Sequence, residues 1–349
     1  MKMSFLVCFL FLALAAVSAQ GAGFVVDHTS TDLSQIPATW ITKAKSDLHI
    51  VYKHTSHGSQ IISGMDGLKN FPDFGDKYAW DNTYQGDSSA LSLNDRAFSF
   101  PYPDLSQGDV DANGDGIDDW AEWTRDLLND PDYLDVNVIL WSWCNIAGHN
   151  IPRYLESMEW LIAQFSEGGT AARAAEHPVT FVFITAHANG GGENDSSDSQ
   201  NRQIREHCRT HDRILFDFSD IENYDPDNNY YLDKLLNDAL YYDSTGDSIR
   251  DANWASEYLL RHPGEELYRI TKGEDAYPGI SSCAHSSGPD NDAYLNCTLK
   301  GRAAWYLFAR LAGWNPDDDG GGDDGGGDDG GGGTPGTGVS IVPACSLLL

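Results

Sequence analysis

Residues 48–60 read Leu48-His49-Ile50-Val51-Tyr52-Lys53-His54-Thr55-Ser56-His57-Gly58-Ser59-Gln60. The first five residues are a β-rich apolar run, and the polar residues and glycine after them indicate a turn into a helix. Three later runs have the same β-rich character: 136–143, 179–185 and 214–218. Segments with helical character stand between or after these runs: 151–165, 199–209 and 299–312. Strands that alternate with helices predict an α/β fold with a parallel sheet and helices on both faces.

Polar side chains follow each predicted strand. They occupy the segments 53–60, 141–145, 185–190 and 217–220. The carboxyl ends of parallel strands meet at one edge of the sheet, where α/β proteins bind their ligands. We therefore expect one shared site, with Trp143, His187 and Asn189 as substrate-binding residues. Trp141 and Trp143 would present aromatic faces that suit a sugar.

Ser56 is the candidate nucleophile. It lies where the first predicted strand gives way to a helix, a position that exposes the side-chain oxygen and directs backbone N–H groups toward a developing anion. The alternative is that its hydroxyl only caps the helix. A further histidine, His285, lies directly before the last predicted helix.

The order of His54-Thr55-Ser56, then Asn145, then His285 resembles the SGNH, or GDSL-like, hydrolase superfamily. Residues 24–314 also look like a branch of secreted bacterial proteins that carry His-Thr-Ser-His-Gly, Trp-Ser-Trp-Cys and Phe-Asp-Phe-Ser-Asp-Ile-Glu. The resemblance implies a three-layer α/β/α, flavodoxin-like parallel sheet. It also implies that Ser56 is the nucleophile, that Asn145 helps to form the oxyanion hole, and that His285 is the general base.

The acid of the triad is open. The superfamily places an Asp three residues before its catalytic histidine, and this chain has Ser282 there. A Ser–His pair can work when another group orients the imidazole. Asp290 and Asp292 are the nearest candidates after His285.

A zinc-dependent hydrolase is the competing interpretation. Histidines that gather at one edge of a sheet can bind a transition metal through neutral imidazoles. The candidates are His54, His57, His149, His187 and His285. His54 and His57 stand three residues apart on a predicted turn, and no carboxylate falls at a familiar ligand spacing.

Residues 109–122 contain a calcium-binding pattern. With Asp111 at position one, the loop fills each ligand slot of an EF-hand, with Gly116 at the sharp turn. The predicted ligands are Asp111, Asn113, Asp115, the backbone carbonyl of Ile117, Asp119 and Glu122. Pro101 and Pro103 upstream exclude a normal entering helix, so we expect a single structural calcium site and no sensor pair. The alternative is an acidic surface turn without an ion.

The charge balance excludes some partners. The chain has 53 acidic and 22 basic residues and a formal net charge of −31. This charge repels phosphate backbones and anionic lipid surfaces, so we expect no nucleic-acid partner. No apolar run reaches the roughly 20 residues that a spanning helix needs, so we expect no membrane span.

The two ends of the chain predict export. Residues 1–19 have the basic start, apolar run and small-residue end of a signal peptide. Residues 20–314 are the expected folded domain. Residues 315–338 are Asp/Gly-rich and predict a disordered acidic linker. Residues 339–349 form a short apolar tail that could attach the protein to the cell surface. The protein is therefore expected outside the cytoplasm, secreted or at the cell surface.

Export favours disulfide bonds. Cys283 and Cys297 bracket a polar loop that contains His285, and we expect a bridge between them. Cys144 should remain a thiol at the edge of the sheet.

Two classes of function follow. The first is a secreted serine esterase that acts on a small ester or an acylated glycan. The second is a non-catalytic surface protein that binds carbohydrate on the same fold, with Ser56 only capping a helix.

Overall fold

A computed structural model gives the architecture and describes residues 23–82, 89–95 and 102–317. The predicted signal peptide, the tail and almost all of the acidic linker lie outside the described residues. Within these described ranges seven strands form one sheet: β1 (Val25–Val26), β2 (His49–Lys53), β3 (Trp80–Asp81), β4 (Leu91–Asp95), β5 (Val138–Trp141), β6 (Thr180–Ile184) and β7 (Leu215–Phe216). Their order is β1-β7-β6-β5-β2-β4-β3, and each neighbouring pair is parallel.

Nine α-helices occur in the described residues. They are α1 (Ala38–Asp47), α2 (Ser59–Asn70), α3 (Asp119–Asn129), α4 (Ile151–Phe165), α5 (Ser196–His211), α6 (Phe218–Asn223), α7 (Trp254–Arg261), α8 (Glu266–Lys272) and α9 (Leu295–Leu311). Two short strands, β8 (Tyr241–Tyr242) and β9 (Ala252–Asn253), form a separate antiparallel pair. No described helix is long and apolar enough to cross a membrane.

The sheet has a hydrophobic core on each face. Alternate strand residues point to opposite sides, so that Ile50 and Tyr52 of β2 belong to one core and Val51 to the other. The first core packs against α1, α2 and α6 to α9, and the second against α3, α4 and α5. The predicted parallel sheet with helices on both faces is confirmed.

The predicted elements agree with the structure closely where the sequence pattern is strong. Helix α4 has the predicted bounds, because the Asn150 side chain accepts the Arg153 N–H at its start and Pro152 occupies its first turn. The predicted helix 199–209 is longer in the structure, and 299–312 begins four residues earlier, at Leu295. The predicted disulfide between Cys283 and Cys297 is present.

Helices α2 and α9 cross closely at two glycines. A Cβ on Gly64 would lie 1.8 Å from the Cys297 carbonyl oxygen, and one on Gly301 would lie 2.3 Å from the Gly64 carbonyl carbon. The backbones therefore touch without side chains between them. This contact positions α2, and α2 begins directly after the turn that carries Ser56 and His57.

We predict that Gly64→Ala destabilises the fold by about 3 kcal/mol, because the added methyl group must push two packed backbones apart. Urea unfolding of the variant and the wild type measures the difference in the free energy of unfolding. Ser63→Ala is the matched control, since Ser63 is half-exposed on the same helix. Equal stability of the two variants would show that the α2–α9 contact tolerates a side chain.

Candidate active site

Three histidines from separate loops form a stack at the carboxyl edge of the sheet. His57 follows β2, His187 follows β6, and His285 precedes α9. The ring centroids of His57 and His187 are 3.8 Å apart with an interplanar angle of 5°. The ring centroids of His57 and His285 are 4.0 Å apart with an angle of 9°. We call these three residues the histidine stack, with His57 as its middle ring.

The middle ring has a partner on each nitrogen. Nε2 of His57 lies 2.9 Å from Oδ2 of Asp238. Nδ1 lies 3.5 Å from Sγ of Cys144, and the Ser56 hydroxyl is 3.6 Å from the same sulfur. A carboxylate only accepts hydrogen bonds, so a neutral His57 carries its proton on Nε2 and has a free lone pair on Nδ1. That lone pair faces the thiol and the hydroxyl beyond it.

Burial lowers the pKa of His57 below its usual value of 6.5, and the hydrogen bond to Asp238 opposes this shift only in part. Burial would raise the pKa of Asp238, but the hydrogen bond from His57 and the nearby histidines lower it overall. At neutral pH the ring is therefore uncharged and the carboxylate is ionised. This is the protonation state that a general base and its orienting acid require.

A buried ion pair lies beneath the histidine stack. Nζ of Lys300 is 2.5 Å from Oε1 of Glu222, and both side chains are fully buried. Burial lowers the pKa of Lys300 to about 8, although the Glu222 carboxylate works against this shift. Asn296 also donates to Oε1 of Glu222, at 3.1 Å.

The Lys300–Glu222 pair reaches each of the three histidine loops. Oε2 of Glu222 accepts the backbone N–H of Ala188, next to His187, at 2.7 Å. Lys300 donates to the Gln60 side chain, three residues after His57. The Gln60 amide in turn donates to the carbonyl of Ala284 at 2.5 Å and to the Ser286 hydroxyl at 3.1 Å, on either side of His285. The ion pair is thus connected by hydrogen bonds, through Ala188 and Gln60, to the loops of all three histidines.

The loop of His285 is fixed from several sides. His285 itself has a left-handed backbone, with φ of 61°. The Ser286 hydroxyl donates to the Asp238 carbonyl at 2.6 Å, and the disulfide begins at Cys283. Asp292, one of the acids considered from the sequence, pairs with Lys272 at 2.6 Å, and the Asp290 carbonyl accepts from the same lysine. Asp238 is the carboxylate on the stack.

The other site residues predicted from the sequence lie outside the histidine stack. Asn145 is exposed and accepts the N–H of Ala147, and both ends of the Asn189 amide are hydrogen-bonded, to Ser197 and Gly191. The predicted sugar-facing role of Trp143 is corrected, because its ring is buried against Tyr154. Trp141 is buried in the same core. His54 pairs with Asp95 and His149 with Asp109, both outside the stack.

Backbone N–H groups near Ser56 are available to an anion. The N–H groups of Cys144 and Asn145 both donate to the Ser106 hydroxyl, at 2.8 and 2.7 Å. Those of Ser56 and His57 have no acceptor among the described residues. The second pair is therefore the one free to stabilise an oxyanion.

Two ligand sets around the stack could hold a metal ion. They are His57 with Cys144 and His285, and His57 with His187 and Asp238, each with ligand atoms within 4.8 Å of one another. An imidazole lone pair lies in the ring plane, so a bound ion must lie near the plane of each ligand ring. The ring planes of His57 and its two neighbours are nearly parallel, so an ion in the plane of one ring lies outside the plane of the next. A shared ion would therefore require one of the rings to rotate. The geometry suits proton transfer better than metal binding.

The predicted calcium loop folds around Asp111. Its carboxylate accepts the N–H groups of Gly114, Asp115 and Gly116, at 2.7 to 3.1 Å. Asp119 accepts the N–H of Ala112, and α3 begins at Asp119. Asp118, where an EF-hand usually has an apolar residue, is buried and lies 2.5 Å from the Arg153 guanidinium.

A second loop repeats this pattern. The Asp243 carboxylate accepts the N–H groups of Gly246, Asp247 and Ser248, at 2.7 to 3.3 Å. Asp251 accepts the N–H of Ser244 at 3.0 Å, as Asp119 does from Ala112. This second loop was not predicted from the sequence. The signal was the shared spacing Asp-x-(Asn/Thr)-Gly-Asp-x-Ile-x-Asp, which starts at 111 and again at 243.

No protein-family model matches this chain, and no curated protein or solved structure is significantly similar to it.

We predict that Glu222→Gln destabilises the protein by about 3–5 kcal/mol, because it leaves the Lys300 ammonium buried without its counter-charge. Urea unfolding of the variant measures this loss. Asp47→Asn is the matched control: it removes one partner of the exposed Lys43–Asp47 pair and should cost less than about 1 kcal/mol.

The double variant Glu222→Leu, Lys300→Met separates charge from packing. It should recover part of the stability that Glu222→Gln loses, because no unpaired charge remains. If the Glu222→Gln protein is as stable as the control, the Lys300–Glu222 pair does not contribute to the stability of the fold.

Proposed function

We propose that the protein is a secreted hydrolase of the esterase type in which the His57–Asp238 pair is the general base. The supporting observation is the surroundings of the His57 ring. The Asp238 carboxylate lies at Nε2, and the Cys144 thiol, with the Ser56 hydroxyl beyond it, lies at Nδ1. This is the relation of base to orienting acid found in catalytic triads. The base expected from the sequence was His285, which instead stacks on this ring.

The strand order supports the proposal. Without the edge strands β1 and β3, the five central strands numbered along the chain run 2-1-3-4-5, the order of flavodoxin-like sheets. In such sheets ligands bind at the carboxyl ends of the strands, where Ser56, Cys144 and His187 lie. SGNH membership remains part of the proposal.

The chemistry is acyl transfer. A nucleophile beside His57 loses its proton to Nδ1 and attacks the ester carbonyl, while Asp238 stabilises the imidazolium that forms. The free N–H groups of Ser56 and His57 stabilise the oxyanion. The net charge of −31 disfavours polyanionic substrates, so a small neutral ester or an acylated glycan suits the site.

We predict that the wild type hydrolyses short acyl esters or acetylated sugars and that His57→Ala lowers kcat/KM by about 10³-fold or more. Asp238→Asn should lower it by a similar order, since the ring loses its orienting acid. His149→Ala is the control, because His149 lies outside the stack and pairs with Asp109. If His285→Ala abolishes activity while His57→Ala does not, the base is the one expected from the sequence.

The pH profile of the same reaction gives a second measure. Activity should rise with pH as His57 loses its proton, with the midpoint below 6.5 because burial lowers the pKa of this ring. Asp238 raises the pKa of His57, so Asp238→Asn should move the midpoint to lower pH.

Two other outcomes would favour the alternatives. If the wild type is inert toward the ester panel but binds glycans, it is a carbohydrate-binding protein on this fold. If a zinc chelator abolishes hydrolysis and added zinc restores it, the zinc-dependent hydrolase is correct.

We also propose a structural calcium ion in loop 109–122. The supporting observation is that Asp111, Asn113 and Asp115 turn their side-chain oxygens onto the loop's own N–H groups, the compact path that an EF-hand-type loop follows. Its role would be stability, since the loop packs against α4 through Asp118.

We predict that calcium at a hundredfold excess over Kd raises the stability by about 2.7 kcal/mol, because the ion binds only the folded loop. Thermal unfolding with calcium and with chelator measures the shift in Tm, which Asp115→Ala should remove. Asp247→Ala makes the equivalent change in the second loop and shows whether that loop contributes. A wild-type Tm indifferent to chelator would exclude the site.

A further inference from the structure

We propose that Cys144, and not Ser56, is the nucleophile of this site. The inference rests on the proposed esterase function and specifies the atom that carries the acyl group. The supporting geometry is the arrangement of the Cys144 sulfur and the Ser56 hydroxyl on the Nδ1 side of His57. The ring nitrogen meets the Cys144 sulfur at 3.5 Å, and the Ser56 hydroxyl lies 3.6 Å from that sulfur.

The Cys144 sulfur contacts both the Ser56 hydroxyl and the His57 ring. Among the described residues, the Ser56 hydroxyl has no hydrogen-bond partner other than Cys144. Ser56 thus has no base of its own within reach, whereas the Cys144 thiol meets a neutral imidazole directly. Ser56 is placed to donate a hydrogen bond to the thiolate once it forms.

The fold fixes the position of Cys144 relative to the His57 ring. Cys144 follows β5, and its N–H donates to the Ser106 hydroxyl at 2.8 Å. His187 and His285 cover both faces of His57, and Asp238 holds its far nitrogen, so the ring cannot turn away from the sulfur without breaking these contacts.

The other free cysteine of the described residues shows the contrast. Cys208 is buried in the second core, and burial raises the pKa of its thiol well above the usual value. It is a packing residue. Cys144 is half-buried at the edge of the sheet and therefore open to a substrate.

The reaction balances without another reagent. The Cys144 proton passes to His57 Nδ1, and the thiolate attacks the ester carbonyl. The tetrahedral intermediate collapses to a thioester and expels the alkoxide, which takes the proton from His57 and leaves as the alcohol. Water then gives a proton to His57 as its oxygen attacks the thioester. The acid is released, and the proton returns to the sulfur.

Acyl trapping tests the proposal. The wild type is mixed with an activated acetyl ester, quenched in acid and analysed by peptide mapping. We expect the acetyl group on Cys144, with removal by neutral hydroxylamine as for a thioester. Cys144→Ala should lose about 10³-fold or more in kcat/KM, and Cys208→Ala should keep the wild-type rate. An acetyl group on Ser56, together with an active Cys144→Ala variant, would overturn the inference and leave the esterase function intact.

Alkylation tests the thiol without any ester. Thiolate is the reacting form, so iodoacetamide at pH 7 should label Cys144 about tenfold or more faster in the wild type than in His57→Ala. Circular dichroism confirms that the variant is folded. If the wild type cleaves no ester, the esterase proposal fails, and this comparison still decides whether His57 activates Cys144. Equal, slow labelling in both proteins would overturn the inference.

Discussion

The Lys300–Glu222 ion pair is the interaction on which the rest of the site depends. Removing two charges from water costs several kcal/mol for each, and the fold recovers this only where the charges meet each other and where further hydrogen bonds satisfy the remaining atoms. Here those further partners are Gln60, Ala188 and Asn296. Ala188 directly follows His187, and Gln60 comes three residues after His57. The requirement to satisfy a buried charge therefore helps to determine where the loops of the histidine stack lie.

The fold was predictable where the chain is apolar and regular. The runs that became β2, β5, β6 and β7 are rich in β-branched and aromatic residues, and this composition indicates a strand without any tertiary information. Strands β1, β3 and β4, which lie toward the ends of the sheet, were not predicted. Residues 91–95 read Leu-Ser-Leu-Asn-Asp, in which polar residues interrupt the apolar pattern.

The site was predictable in part. The rule that polar residues gather at the carboxyl ends of parallel strands led to the segments of His57, Cys144 and His187. It could not lead to Asp238, which comes from an irregular stretch before β8 that no periodicity describes. For Trp143, the same rule predicted a site residue that the structure places in the core. It follows a strand, but its side chain turns inward onto Tyr154 of α4, as the Trp141 side chain turns inward onto Trp120 of α3.

The disulfide between Cys283 and Cys297 gives the site a dependence on redox compartment. The bridge closes a loop of sequence separation 14 that includes His285, and such a bridge does not form in a reducing compartment. A chain kept under reducing conditions would hold the loop of His285 by hydrogen bonds and ion pairs alone, without the covalent link. Oxidation of the two thiols would therefore add a covalent restraint to a loop that the hydrogen-bond network already positions, and would narrow the range of positions open to the His285 ring.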